Sequence, residues 1–329
     1  MGKIALFGAG GAIGGSVASA LRAQGRAYRV VGRSRGPLEA QFGADPLAEI
    51  VTWNPEDPAS VRAAAEGVET LVYLIGVPYW EFQKHPVLMR QTLEGAMAAG
   101  VSKLVQIGTV YPFGRPRTER VDENHPREPH TFKGRMRKAQ EDLVLGAHGQ
   151  RGLQTTILRL PDFYGPHVER SFLHSAFEAA LAGRRADLIG PIDTPHEYVF
   201  VPDVGPVVTA LADEPRAYGR AWNLAGAGVT TQRELVERIF AHMGRPPKYR
   251  VAGPWMVRAI GLFNRFMREL AEMEYLQTTP VLMDDSALRG LLGEVRKTSY
   301  EEGIRRTFEA LAREMKSTRP ETGALMKPA

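Results

Sequence analysis

Three short stretches hold residues whose types and spacing could do chemistry. FGAGGAIGG (7–15) sets glycines at 8, 11 and 14 directly after a short apolar run. KLVQIGT (103–109) ends an apolar run on a hydroxyl, Thr109, with Tyr111 two residues on. HTFKGRMRKAQED (130–142) carries Lys133, Arg135, Arg137 and Lys138, then Glu141 and Asp142. In the first stretch, one glycine would permit a tight turn, one would let the backbone approach a pyrophosphate, and one would let a helix lie close to its strand. The N–H groups at the start of that helix, around Gly11, Ala12 and Ile13, would then face the two phosphates. The basic stretch admits three readings: a nucleic-acid patch, a solvated helix face, or an active-site helix. A nucleic-acid binder concentrates its cations in one stripe with aromatics between them, and here they are scattered. At helical spacing Arg137 faces Glu141 and Lys138 faces Asp142, so the stretch partly neutralises itself.

Such residues need a rigid frame. KIALFG, YRVVG, AEIVTW, TLVYLIG, KLVQIG and QTTILRL read as largely apolar strands, buried on both faces as in a parallel sheet. Helix-like segments alternate with them, one starting at Asp57-Pro58 and one ending at Gly100. The alternation predicts an α/β fold with a doubly wound parallel sheet. Residues 1–166 and about 200–230 would form the dinucleotide-binding domain, with AWNLAG (221–226) returning to the sheet. Residues 167–199 and 231–316 would form a smaller, discontinuous α+β lid, and 317–329 a frayed tail.

The glycine spacing resembles the extended or atypical branches of the short-chain dehydrogenase/reductase superfamily, the NAD-dependent epimerase/dehydratase group, whose core is a Rossmann sheet. VDENHP (121–126), LRLPDFYGP (158–166), HEYVFVPDV (196–204) and WNLAGAGVTTQREL (222–235) resemble its later segments. The resemblance implies a nicotinamide dinucleotide held by Gly8, Gly11, Ala12, Ile13 and Gly14. Arg33 stands near the tip of the second strand, where an Asp or Glu would hold the ribose of NAD. A guanidinium suits a 2′-phosphate, so NADP is preferred over NAD. Asn54 would lie near the adenine, and Gly76 and Val77 beneath the nucleotide.

The same resemblance puts Thr109 on the catalytic Ser/Thr. Counting back from Glu141, it puts Lys133 where the family has its tyrosine and Arg137 where it has its lysine. Tyr-x-x-x-Lys is therefore not preserved, although the i, i+4 relation keeps both side chains on one helix face. Arg137 would grip ribose or phosphate. Lys133 would protonate an alkoxide or be only solvated surface, and Tyr111 and Tyr164 are alternative donors.

Asp162 and His196 occupy positions where nucleotide-sugar members contact a diphosphate, and a carboxylate there disfavours one. PWMVRAIGLFNRFMREL (254–270) would put Arg258, Gly261, Arg265 and Arg268 on one helix face and Met256, Ile260, Phe263 and Met267 on the other. The apolar face would pack in the core, line an apolar pocket or rest on a membrane surface. With Tyr79-Trp80 near the nicotinamide, the expected activity is NAD(P)-dependent oxidation or reduction of a small hydrophobic or aromatic substrate. The alternatives are a sugar-nucleotide epimerase or dehydratase and an inactive nucleotide-binding regulatory protein.

Composition bounds these readings. The chain has 329 residues, 43% hydrophobic and 24% charged, with net charge +5 and no cysteine. That excludes disulfides and thiol chemistry and suits a reducing compartment. No signal-peptide core and no bilayer-spanning apolar run is present, so a cytoplasmic protein is expected. The histidines lack paired ligand spacing, so no metal site is expected. A homodimer is compatible with all of this.

Overall fold

The computed structural model describes residues 2–317 other than 169, 170 and 172. The six strand-like runs form β1 (Lys3–Phe7), β2 (Tyr28–Gly32), β3 (Ala48–Thr52), β4 (Val68–Tyr73), β5 (Lys103–Thr109) and β6 (Gln154–Leu160). Shorter strands follow: β7 (Asp162–Tyr164), β8 (Ala186–Ile189), β9 (Tyr198–Phe200), β10 (Ala221–Asn223) and β11 (Tyr249–Ala252). The main sheet has seven strands in the order β10-β6-β5-β4-β1-β2-β3. Every neighbouring pair is parallel.

Side chains alternate across this sheet into two separate cores. Ile4 and Leu6 of β1 enter one, Ala5 and Phe7 the other; Val72 and Val105 join the first, Leu71, Tyr73 and Leu104 the second. Both faces are thus dry, which is why these strands read as apolar throughout rather than alternating. Asp57 caps the helix Pro58–Ala65 by accepting from the Ala59 N–H at 2.9 Å. Gly100 leaves the helix Lys84–Ala98 at φ +75°, as a helix-ending glycine should. One helix, Arg35–Phe42, was not legible as periodic, because its glycine and proline obscure the buried pair Leu38 and Phe42.

The order of strands reverses beside β1. The chain runs outward through β2 and β3, then returns to β4 on the other side of β1 and continues to β5 and β6. This opens a crevice at the carboxyl ends of β1 and β4, where ligands of such sheets bind. A smaller core gathers the helices His174–Ala182, Gln232–His242 and Tyr300–Ser317 around the two-stranded sheets β8–β11 and β7–β9. Leu288, from the helix Ser286–Leu292, joins the large sheet's core instead, so the chain crosses back once more. The stretch read as a tail lies outside the described residues, apart from Ser317 at the end of the last helix.

The stretch 254–270 is not one amphipathic helix. It breaks at 262–264 into Pro254–Gly261 and Arg265–Ala271, with Asn264 capping the second by accepting from the Met267 N–H at 3.1 Å. Gly261 lets the two cross closely: a Cβ there would lie 3.0 Å from Arg268 Cα. The expected apolar face therefore does not enter the core, and Phe263 is 94% exposed.

Candidate active site

The glycine loop follows β1 directly, at the crevice. Gly8 leaves β1 at φ +88°, a left-handed turn that side chains rarely adopt. A Cβ on Gly14 would stand 2.1 Å from the Ala9 carbonyl oxygen, so only glycine lets this helix close onto the loop. Gly10 and Gly11 are the opposite case, for no atom lies within 4 Å of where their Cβ would be. Gly11 is the N-cap of the helix Ala12–Ala23, with no side-chain cap and no acidic residue in the first turn. A bare, positively polarised helix start beside open space fits two phosphates. Behind it, Ser16 Oγ donates to the Val201 carbonyl at 2.7 Å and accepts from the Gly205 N–H at 2.9 Å, pinning the helix from its far side.

At the tip of β2, Arg33 is exposed and makes no ion pair among the described residues, whereas Arg35 is taken by Glu39 at 2.7 Å. Asn54 Oδ1 accepts from the Glu56 N–H at 3.1 Å, so its carbonyl shapes its own turn while the residue stays exposed. Gly76 is exposed with free space over its Cα, and Val77 beside it is half-buried.

The basic stretch folds as the helix Phe132–Gly146, capped by Thr131 Oγ1, which accepts from the Gly134 N–H at 3.0 Å. Lys133 is not solvated surface: it is 1% exposed. Its Nζ donates to Glu269 at 2.6 Å and Glu272 at 2.7 Å, and its backbone N–H donates to the other Glu272 oxygen at 2.9 Å. Its ammonium is thus held by two carboxylates from beyond the break at 262–264. Arg137 also turns inward, donating to Gln140 Oε1 at 2.8 Å, His85 Nδ1 at 3.2 Å and the Ile107 carbonyl at 3.4 Å. Burial lowers its pKa, and its three partners hold in place the side chain expected to grip ribose or phosphate. Burial, with Arg137 beside it, pushes His85 down to about 2, so its imidazole is neutral and Nδ1 accepts.

The expected Arg137–Glu141 contact gives way to a buried one. Arg159 of β6 grips Glu141 with Nε at 3.0 Å and Nη2 at 2.8 Å, and stacks over Phe113 at 4.8 Å. Lys138 and Asp142 do pair, at 2.7 Å on the surface.

Thr109 closes β5, half-buried, and its Oγ1 accepts from the Tyr111 N–H at 3.4 Å. The Tyr111 hydroxyl lies 3.0 Å from that of Tyr79. Burial raises both phenols, and Asp162 adds to the rise. Phe82 lies over Tyr111 at 6.3 Å, and Phe266 edges onto Tyr79 at 5.6 Å, giving the neighbourhood an aromatic wall. Asp162 and His196, 34 residues apart in the chain, form one pair at 2.8 Å. Tyr164 is elsewhere, buried in the smaller core against Phe200 and Tyr300, which removes it as a donor. Sequence reasoning missed Glu269 and Glu272, and it named Tyr79 without its partner Tyr111, since each meets its counterpart only through the fold.

The NAD dependent epimerase/dehydratase family matches residues 4–225. A dTDP-glucose 4,6-dehydratase of Streptomyces griseus is 28% identical over 153 residues, 46% of each chain. A uronate dehydrogenase of Pseudomonas putida is 26% identical over 165 residues, 48% of this chain and 60% of that one. The chain thus spans about half the length of the curated relatives it matches. A solved dTDP-glucose 4,6-dehydratase of Streptomyces venezuelae, with NAD bound, has a TM-score of 0.79 at 19% identity, across 96% of this chain and 98% of that one. That likeness is one of fold, while the family match covers more than half of the sequence. The chain belongs to the NAD-dependent epimerase/dehydratase family.

Proposed function

We propose that the protein is an NAD(P)-dependent oxidoreductase acting on the carbonyl or alcohol of a small apolar or aromatic substrate. The observation that carries this reading is the phenol pair, Tyr79 and Tyr111, 3.0 Å apart beyond the end of β5. The dinucleotide, when bound, supplies hydride exchange with the substrate carbon. Gly8, Gly11, Ala12, Ile13 and Gly14 hold its phosphates, and Gly76 and Val77 lie under it. Asn54 borders the adenine, and Arg33, free of any carboxylate, takes a 2′-phosphate, so NADP is the expected form.

The chain's own groups handle the oxygen and the proton. Thr109 orients the substrate oxygen, and Tyr111 gives its proton to the developing alkoxide. Tyr79 is placed to replace that proton through the shared hydrogen bond. Because burial raises both phenols, they stay protonated in neutral water. Lys133 is then a tether: its ammonium fastens Glu269 and Glu272, and with them the segment 265–272, to the active-site helix. The aromatic wall of Tyr79, Phe82, Tyr111 and Phe266 favours an apolar ring over a sugar.

A second reading, conversion of a sugar nucleotide without net cofactor turnover, is favoured by the names of the relatives. It is disfavoured by the Asp162 carboxylate, which would face the diphosphate. The test mixes the protein with NADPH and a panel of aromatic aldehydes and ketones, and separately with dTDP-glucose. Carbonyl-dependent oxidation of NADPH supports the first reading. Loss of water or isomerisation of the sugar nucleotide supports the second, and tight NADPH binding with neither reaction defeats both.

A further inference from the structure

We infer that the helical hairpin 254–271 is a docking surface for an anionic phospholipid bilayer. Ten large apolar side chains are exposed among the described residues, and five of them, Trp255, Ile260, Leu262, Phe263 and Phe266, fall in this one hairpin. Phe263 is 94% exposed, Leu262 76% and Trp255 71%. Trp255 and Ala259 sit at i and i+4 on one face of the first helix, with Leu262 just past its end, while Val257 and Gly261 are buried. A patch of this kind on one element marks a binding surface rather than ordinary scatter.

Charge decides what it binds. The three carboxylates within or just after the second helix are all engaged: Glu269 and Glu272 on Lys133, and Glu274 on Arg258 at 2.9 Å. Arg265 and Arg268 are exposed and make no ion pair among the described residues; Arg265 stacks 5.0 Å over Trp80. The exposed surface of the hairpin is therefore apolar and cationic, its acids being engaged with Lys133 and Arg258. A second copy docked on this face would bring the same unpaired arginines towards each other. A bilayer with anionic headgroups accepts the apolar tip and the cations together, with tryptophan at the interface. No helix among the described residues is long and apolar enough to cross a membrane, so the attachment is peripheral. Phe266 packs on Tyr79 at one end of the same hairpin, which puts the docking face next to the candidate active site.

The test sediments the full chain with vesicles of phosphatidylglycerol and phosphatidylcholine in equal parts, and with phosphatidylcholine alone, at low and high salt. Binding is expected to the anionic vesicles and to fall with salt. The double variant Leu262→Ser/Phe263→Ser is expected to bind at least about tenfold more weakly. Arg268→Gln should bind about fivefold more weakly to anionic vesicles. Unchanged melting temperatures would show that these exposed substitutions leave the fold intact. Trp255 fluorescence should shift to the blue with vesicles, and the shift should vanish in Trp255→Ser. No sedimentation of the wild type, or equal binding by the double variant, would overturn the inference. So would a concentration-dependent dimer abolished by Leu262→Ser/Phe263→Ser, or capture by an acidic protein partner with vesicles ignored.

Discussion

At one end of the crevice the backbone provides the binding groups, and at the other end side chains do. The glycine loop needs only a left-handed turn at Gly8, a missing Cβ at Gly14 and an uncapped helix start at Gly11. All three are local, lying within one turn of helix after β1. The opposite end is assembled from distant segments: Tyr79 meets Tyr111, Asp162 meets His196, and Lys133 meets Glu269 and Glu272. The proposed duty of the first end is to receive the phosphates that every dinucleotide shares. The second depends on contacts between segments up to 139 residues apart in the chain. Lys133 is the clearest case: its ammonium ties the helix Phe132–Gly146 to Glu269 and Glu272.

The largest expected effect tests which group at the side-chain end moves the proton. Tyr111→Phe should lower kcat by about 100-fold or more with KM little changed, since a positioned acid contributes on that scale. Lys133→Met should instead loosen 265–276, seen as faster amide exchange there. If Tyr111→Phe kept full activity while Lys133→Met abolished it without that loosening, the roles would be reversed.

Next comes the ion pair that sets the active-site helix on the sheet. Glu141 and Arg159 are each 1% exposed, so Glu141→Gln leaves a buried guanidinium short of charge. A loss of about 3 kcal/mol in chemical denaturation is expected, and Glu141→Leu/Arg159→Met should recover most of it.

His85 gives a pH signature with a definite sign. Its folded pKa is depressed to about 2, so between that value and the ordinary 6.5 the unfolded chain binds a proton that the folded one does not. Its contribution to stability is whole above pH 6.5 and is lost as the pH falls, at up to about 1.4 kcal/mol per pH unit. His85→Gln should flatten that slope in melts between pH 6.5 and 4.5.

The smallest effect belongs to an exposed side chain at the tip of β2. Arg33→Ala should weaken NADP binding about tenfold and leave NAD binding unchanged, as one exposed phosphate contact would. Equal losses for both dinucleotides would remove the 2′-phosphate from the interpretation.

The same contrast explains what could be read in advance. Strands buried on both faces announce themselves as apolar runs, and the duties of a phosphate-binding glycine are written in a few adjacent residues. Arg137 and Glu141 looked like partners because helical spacing brings them together, but Arg159, 18 residues further on, offers Glu141 a bidentate grip. The alternating apolar and basic residues of 254–270 suggested a core face, and a break at Asn264 turned that face outward. Long-range charge pairing and helix breaks depend on the assembled fold, so local periodicity could not supply them.

The most direct measurement is calorimetric titration of NADPH into the wild type and Gly11→Asp. Gly11 has extended backbone angles that any residue adopts, its Cβ position is empty, and aspartate is a favoured N-cap. The substitution should therefore leave the melting temperature unchanged or higher. It would also set a carboxylate where the phosphates belong. The expected result is one NADPH bound per wild-type chain and binding weakened at least about 100-fold in Gly11→Asp. No heat from the wild type, or equal affinity in the variant, would contradict a dinucleotide seated on this helix.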